Sequence, residues 1–154
     1  MLGIITAGML AACKDPEISK FEYESRGMPG SVVYNLIINF DKRILITKET
    51  YDRIPSFPKP KIKKFSLNSE QIAELKKTLN MAGVTGWKDN YENQVCVFDG
   101  TFWVASYVLS NGKSRKIHGD NNWPIGIKTL STALKKMGIE LITSDDPCFF
   151  TASN

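Results

Sequence analysis

The sequence predicts an α+β fold, a two-layer sandwich in which an antiparallel sheet of about six strands carries two helices on one face. Two groups of about three segments with alternating apolar and polar residues predict the strands. An amphipathic pattern of helical period follows each group and predicts the helices. A chain of 154 residues with 42% hydrophobic and 23% charged residues has the composition of one globular domain.

The first three strands are predicted between residues 21 and 47. Residues 21–25 alternate between apolar and acidic side chains, as a strand with one buried face does. Residues 31–40 alternate more clearly, and a turn at Asp41 returns the chain antiparallel. The stretch 51–64 then carries three prolines and four lysines, which predicts an extended basic connector; contact with anionic lipid or an acidic partner is the alternative.

The first helix is predicted over residues 67–83. Asn68 is a suitable N-cap, and Gln71 is three residues further on, as a capping box requires. Gly83 is expected to end the helix in a left-handed conformation. The apolar stripe consists of Ile72, Leu75, Leu79 and Ala82.

The stretch between the two helices is predicted to form a three-stranded meander. Asp99-Gly100 and Asn111-Gly112 are typical of two-residue type I′ hairpin turns. Residues 101–109 carry apolar side chains on both faces, which predicts an inner strand covered in part on both sides. Trp103 is expected to be buried in this strand.

The second helix is predicted to open at Trp123-Pro124 and to end at Gly138. Each residue of its apolar stripe follows the corresponding residue of the first stripe by 55 positions. Because each helix also follows about three strands, the pattern indicates a βββα unit written twice. Coincidence is the alternative, since any amphipathic helix repeats with this spacing.

Charge and hydropathy exclude several classes of protein. The net charge of +4 and the pI near 8.9 are only mildly basic, so no nucleic-acid partner is expected. No apolar run approaches the roughly eighteen residues that a membrane-spanning helix needs. Glycine-rich phosphate loops and dinucleotide fingerprints are absent from the sequence, so no cofactor is expected.

The N-terminal residues 1–12 carry no charged side chain and are followed by Cys13. Leu10-Ala11-Ala12-Cys13 resembles a bacterial lipobox, in which the cysteine becomes the lipidated first residue of the mature protein. This resemblance implies a signal segment over residues 1–12, a tether over residues 13–20, and one domain over residues 21–154, held at the membrane of the cell envelope by lipid on Cys13. The alternative is a first strand with a free cysteine, in a cytoplasmic protein.

The other two cysteines bear on the compartment. Lipidation of Cys13 would leave Cys96 and Cys148 as a pair in a compartment where disulfides persist, so a Cys96–Cys148 disulfide is one interpretation. The other interpretation is that both cysteines are free thiols, with Cys96 inert in the core. The three cysteines contain no CxxC spacing and the chain has one histidine, so no metal site is predicted.

Chemistry could lie in the segment from Lys116 to Pro124. A catalytic interpretation uses His118 as the base and Asp120 to orient it. The alternative is a turn, in which Asp120, Asn121 and Asn122 bond to nearby backbone before the helix. No nucleophile motif accompanies His118, so a non-enzymatic protein is expected.

Aromatic residues are numerous around this segment and could line a ligand groove, or pack in the core as most aromatics do. Together with His118, Asp120 and Asn121, the residues Trp87 and Tyr91 are the candidates for binding. The chain carries, in this order, Trp87, Tyr91, Asp99-Gly100-Thr101, Trp103, Lys116-Ile117-His118-Gly119-Asp120-Asn121 and Pro124. It resembles small uncharacterised domains of bacterial secreted proteins and lipoproteins, which carry D-G-T-x-W and then G-x-N-x-x-P. This resemblance covers about residues 67–138 and implies an α+β domain in the cell envelope, without implying an activity.

Three functions follow as expectations. The first is a non-enzymatic envelope lipoprotein that binds an unknown protein or envelope ligand. The second is an inhibitor or immunity-type protein that blocks another protein, which a charged patch on an open sheet face would favour. The third is an enzyme built around His118, which a pocket holding a perturbed carboxylate would favour.

Overall fold

The computed structural model describes residues 15–27, 32–51, 59–92 and 101–141, and these residues form one seven-stranded sheet and two α-helices. The strands are β1 (Ile18–Arg26), β2 (Val32–Asn39), β3 (Ile44–Tyr51), β4 (Lys61–Ser66), β5 (Asn90–Tyr91), β6 (Phe102–Leu109) and β7 (Ser114–Asp120). The helices are α1 (Ser69–Met81) and α2 (Ile127–Lys136). The strand order is β4-β3-β2-β1-β6-β7-β5, and every neighbouring pair is antiparallel except β5 and β7.

The core lies between the sheet and the helices. Along the inner strands every second residue is buried, so one face of the sheet is apolar and packed. The buried stripes of both helices belong to the same cluster as this face. The described residues therefore form a two-layer α+β sandwich with the helices on one face, as the sequence predicts, but their sheet has seven strands instead of about six.

Two of the described strands, β4 and β5, are absent from the sequence prediction, and β4 comes from the stretch predicted as a basic connector. Residues 61–66 pair antiparallel with β3, and β4 is the edge strand of the described sheet. The prolines precede the strand, so all of its N–H groups are present. Alternating lysines keep such an edge soluble. The first strand also differs from the prediction, because β1 begins at Ile18, inside the stretch 13–20 predicted as a tether.

Helix α1 has the predicted termini. The Asn68 side chain accepts a hydrogen bond from the Gln71 backbone N–H at 2.8 Å, and the Gln71 side chain accepts one from the Asn68 N–H at 3.0 Å. This is the capping box. Gly83 follows the helix with φ of 65°, the left-handed conformation expected of a C-terminal glycine.

Helix α2 begins at Ile127, three residues later than the predicted opening at Trp123-Pro124. The Trp123 side chain is buried and its indole N–H donates to the Tyr23 hydroxyl at 3.1 Å. This contact holds the segment before the helix against the sheet, so the residues near Trp123 are used for packing. Gly138 ends the helix with φ of 73°, as predicted.

Strand β6 is an inner strand, but its neighbours differ from the prediction. It pairs with β7 on one side and with β1 on the other, so the predicted meander is wrong. Its hairpin is also of another type: of Asn111 and Gly112 only Gly112 has a positive φ, 84°. The Gly112 N–H donates to the Leu109 carbonyl at 2.9 Å. This geometry is a three-residue loop built on a type I turn.

The predicted duplication stays a prediction. The two central strands β1 and β6 are antiparallel neighbours, but β3 is antiparallel to β2 whereas β5 is parallel to β7. Asp99-Gly100, Cys13, Cys96 and Cys148 lie outside the described residues. Neither of the two described α-helices has the length and apolar composition of a membrane span.

Candidate functional site

The residues predicted for binding lie around the end of β7, at one edge of the sheet. Strand β5 places Asn90 beside His118 and Tyr91 beside Gly119. The His118 N–H donates to the Asp89 carbonyl at 3.1 Å, which fixes the segment before β5 to this edge. The candidates placed here are Trp87, Tyr91, His118, Asp120 and Asn121.

Strand alternation divides the candidates between the two faces of the sheet. His118 and Asp120 are paired with Val104 and Phe102 of β6, on the face opposite the helices. Tyr91 lies beside Gly119, whose β6 partner is the buried Trp103 on the helix-covered face. The predicted residues therefore form two groups on opposite sides of the sheet.

The aromatic group packs in the core. Trp87 is 4% exposed, and its indole N–H donates to the Ala82 carbonyl at 2.9 Å. Its ring meets that of Trp103 edge-on, with 6.4 Å between centroids. The half-buried Tyr91 lies 5.7 Å from Trp103 and accepts a hydrogen bond from the Lys88 N–H at 3.0 Å. These contacts agree with the packing alternative for Trp87.

Asn121 and Asn122 hold the backbone at the end of the β6–β7 pair. The Asn121 side-chain oxygen accepts from the Thr101 N–H at 2.7 Å, while the Asn121 N–H donates to the Thr101 carbonyl at 3.1 Å. The φ of Asn121 is 47°, in the left-handed region that asparagine tolerates. The Asn122 carbonyl accepts the Trp103 indole N–H at 2.7 Å. These bonds join the end of β7 to the start of β6, so they differ from the local bonds to nearby backbone that the turn alternative predicts.

A cavity of about 420 Å³ lies on the open side of this edge. Phe102, Val104, His118 and Asp120 form much of its wall. Within the described ranges, one carboxylate oxygen of Asp120 is buried and has no hydrogen-bond partner.

The arrangement of His118 is that of an exposed residue on a strand. Cα atoms of residues i and i+2 are about 6.6 Å apart on a strand, so His118 and Asp120 are side by side on one face. Among the described side chains, none is hydrogen-bonded to the imidazole. A catalytic role would therefore require a substrate, or a rearrangement, to bring the base and its orienting carboxylate together.

Metal ligands are not gathered in the described part of the chain. Within it, no group of three or more His, Cys, Asp or Glu side chains is placed to hold a metal ion.

The sequence analysis did not include Phe102 and Val104 in the candidate site. Phe102 is 55% exposed and Val104 is half-buried, although both belong to a strand predicted to be covered in part on both sides. The signal that could have found them is the polar character of the same face on β1, where Glu22 and Glu24 lie. A face shared with two glutamates is accessible to water.

Comparisons with known proteins give no further indication of function. No model of a protein family matches the chain, and no curated protein matches it in sequence. The function is therefore inferred from the geometry of the described residues and from the lipobox resemblance at Cys13.

Proposed function

We propose that this protein is a non-enzymatic binding domain of the cell envelope, anchored by lipid on Cys13, which docks the open face of its sheet on an acidic protein surface. The observation that supports the docking is the open face itself. We define the open face as the side of β4, β3, β2, β1, β6 and β7 opposite the helices. No described element covers it.

The open face combines apolar and basic side chains in continuous rows across the strands. One row pairs, in order, Lys64, Ile46, Ile37, Glu22, Ser106 and Lys116. The next pairs Ile62, Lys48, Asn35, Glu24, Val104 and His118. Ile62 at one edge is 62% exposed. Exposed apolar residues among polar ones are the usual composition of a protein interface.

The charges of this face favour an acidic partner. Glu22 forms an ion pair with Lys20 at 2.7 Å, so its charge is already balanced within the protein. Glu24 is similarly paired with Arg26 on the same strand. In the described part of the chain Lys48, Lys64 and Lys116 have no carboxylate partner. Their ammonium groups can pair with carboxylates of a partner and guide its approach.

The size of the face suits a protein partner. Six strands at about 4.8 Å spacing extend about 24 Å between the outer strand axes, and eight residues at about 3.3 Å extend about 26 Å. The plan area is about 600 Å², before the relief of the side chains is added. A standard interface buries about 800 Å² on each partner, so the face is of the right order.

An inhibitor or immunity-type protein is the second candidate function. The unpaired lysines of the open face favour it, because a basic patch that meets an acidic functional site would block that site. The two functions share the docking surface and differ in whether the partner loses activity on binding. An assay of the isolated partner with and without this protein separates them.

The test uses the lipidated full-length chain, purified from its own cells, as bait for envelope proteins. A captured protein is then purified and its binary complex is titrated with wild type, Phe102→Asp and Lys64→Glu. We expect each substitution to weaken the complex at least tenfold, and added salt to weaken it as well. Met81→Asp and Lys77→Glu on α1 are the matched controls, expected to bind within twofold of wild type.

Four outcomes would overturn the proposal. The first is equal loss of binding in the control variants. The second is full retention by Phe102→Asp and Lys64→Glu. The third is self-association of the purified chain through this face. The fourth is tight binding to phosphatidylglycerol vesicles by a Cys13→Ser chain, which would identify the face as a membrane surface.

A further inference from the structure

Two strongly exposed apolar side chains lie on the helix side of the molecule, away from the open face. Met81 at the end of α1 is 67% exposed, and Ile125 just before α2 is 81% exposed. Each precedes one member of a close backbone contact, since a Cβ on Gly126 would lie 2.8 Å from the Ala82 Cα. Consecutive Cα atoms are about 3.8 Å apart, so the Cα atoms of Met81 and Ile125 are at most about 12 Å apart. We call these two residues the helix-end patch.

The helices around this patch carry an excess of positive charge. Helix α1 has two glutamates and two lysines, which balance. Helix α2 has three lysines and no acidic residue, and the first of them, Lys128, is exposed three positions after Ile125. Anionic lipid headgroups attract such a surface, and exposed apolar side chains insert between them.

The N-terminal part of the described chain packs against the C-terminal half of α1. Glu17 forms an ion pair with Lys76 of this helix, with 2.8 Å between the carboxylate oxygen and the ammonium nitrogen. Asp15 lines one cavity together with Asn80, the residue before Met81. The chain therefore enters the domain beside the helix-end patch.

This entry point limits the distance between the proposed anchor and the patch. Cys13 precedes Asp15 by two residues, which span at most about 7 Å when fully extended. Lipid on Cys13 would therefore hold the surface of the bilayer close to this end of α1. A tether this short also keeps the local concentration of headgroups at the patch high, so that even weak contacts form.

We propose that the helix-end patch rests on the anionic surface of the membrane that holds the lipid anchor, with Met81 and Ile125 inserted among the headgroups. This inference rests on the lipid anchor of the proposed function. The patch belongs to the helix layer, so this contact leaves the open face, on the other side of the sheet, accessible to a protein partner. Two apolar side chains and a few lysines bind only weakly by themselves, so the Cys13→Ser chain is expected to stay in solution.

The test measures which methyl groups are near the lipid headgroups. The lipidated full-length chain, isotope-labelled at the Met and Ile methyl groups, is placed in phosphatidylglycerol nanodiscs that contain a lipid with a nitroxide headgroup, which broadens nearby NMR signals. We expect the broadening at Met81 and Ile125 to be at least threefold larger than at Ile62. Ile62 is the matched control, because it is 62% exposed on the open face. In phosphatidylcholine nanodiscs the broadening at Ile125 should fall at least twofold, since those headgroups carry no net charge.

A pair of aspartate substitutions tests the contact itself. Ile125→Asp should reduce the broadening at Met81 at least twofold, because the anionic surface repels the new carboxylate. Ile62→Asp makes the same change at an exposed residue of the open face and should leave the broadening at Met81 unchanged. Both side chains are exposed, so both variants should keep the wild-type amide spectrum.

The outcomes separate this inference from the proposed function. A wild-type chain of unmodified mass would overturn the anchor and this inference together. A lipidated chain in which Ile62 broadens as much as Ile125 would overturn the inference while leaving the anchor in place. So would an unchanged Met81 signal in the Ile125→Asp chain, or equal broadening of Ile125 in the two kinds of nanodisc.

Discussion

The contact between Gly119 and Trp103 gives the sharpest stability test of the fold. A Cβ built on Gly119 would lie 2.5 Å from the Trp103 indole, far inside van der Waals contact. The indole cannot easily withdraw, because its N–H is bonded to the Asn122 carbonyl at 2.7 Å and its ring stacks on Tyr23 with 6.2 Å between centroids. Gly119→Ala is therefore expected to destabilise the protein by about 1–3 kcal/mol, the usual cost of overpacking.

Trp103→Ala removes the obstacle together with much of the core. Trp103 is 1% exposed, so its truncation is expected to cost about 3–5 kcal/mol. In that background Gly119→Ala meets no indole and should cost close to nothing. The double mutant should then be more stable than additivity predicts, by about 1–3 kcal/mol.

Urea unfolding followed by circular dichroism measures all four proteins of this cycle. Gly86→Ala is the control, because a Cβ at Gly86 would have nothing within 4 Å and the expected change is within about 0.5 kcal/mol. Additivity of Gly119→Ala and Trp103→Ala within about 0.5 kcal/mol would refute the packing argument. So would a Gly119→Ala protein as stable as the Gly86→Ala control.

Four further predictions concern anchoring, the histidine, alkaline stability and the cysteines. Cys13→Ser should abolish lipidation and move the protein out of the membrane fraction, as mass spectrometry and fractionation would show; a wild-type protein of unmodified mass would contradict the anchor. His118→Ala should change the free energy of unfolding by less than about 1 kcal/mol, because the side chain is exposed; a larger loss would mean that the imidazole packs or pairs. Burial raises the pKa of Tyr34 above its usual range, which means that the folded state binds its proton more tightly, so this contribution to stability is complete below about pH 10 and is lost as the pH rises further. Wild type should therefore lose stability relative to Tyr34→Phe above about pH 10, and parallel pH profiles would be inconsistent with this. Finally, if Cys96 and Cys148 pair in the mature envelope protein, that protein should yield no free thiol when it is unfolded without reductant; two titrated thiols would exclude the disulfide.

The features that the sequence predicts correctly are those that depend on neighbouring residues. The capping box needs only Asn68 and Gln71, which are three positions apart, and it forms as predicted. The left-handed residues after the two helices, Gly83 and Gly138, depend only on local sterics. Strand alternation similarly identifies Trp103 as buried.

The features that the sequence predicts wrongly depend on pairing between distant segments. Strand β1 pairs with β6, so that Glu22 lies beside Ser106, and no local pattern encodes this choice. The edge position of β4 is a property of the whole sheet, and the three prolines before it suggested a connector. The exposure of Phe102 likewise depends on which elements pack against its face of the sheet. The apolar residues of β6 alone predicted that both faces would be covered in part.

The same reasoning explains why one predicted site becomes two. Residues that are close along the chain, such as His118 and Gly119, point to opposite sides of the sheet because strand neighbours alternate. Gly119 carries no side chain, and this leaves room for the Trp103 indole on the helix-covered side. On the open side, His118 and Asp120 are left beside the apolar residues of β6. The segment from His118 to Asp120 therefore combines close packing on the helix-covered side of the sheet with accessible polar groups on the open side. Only the accessible groups can contact a partner.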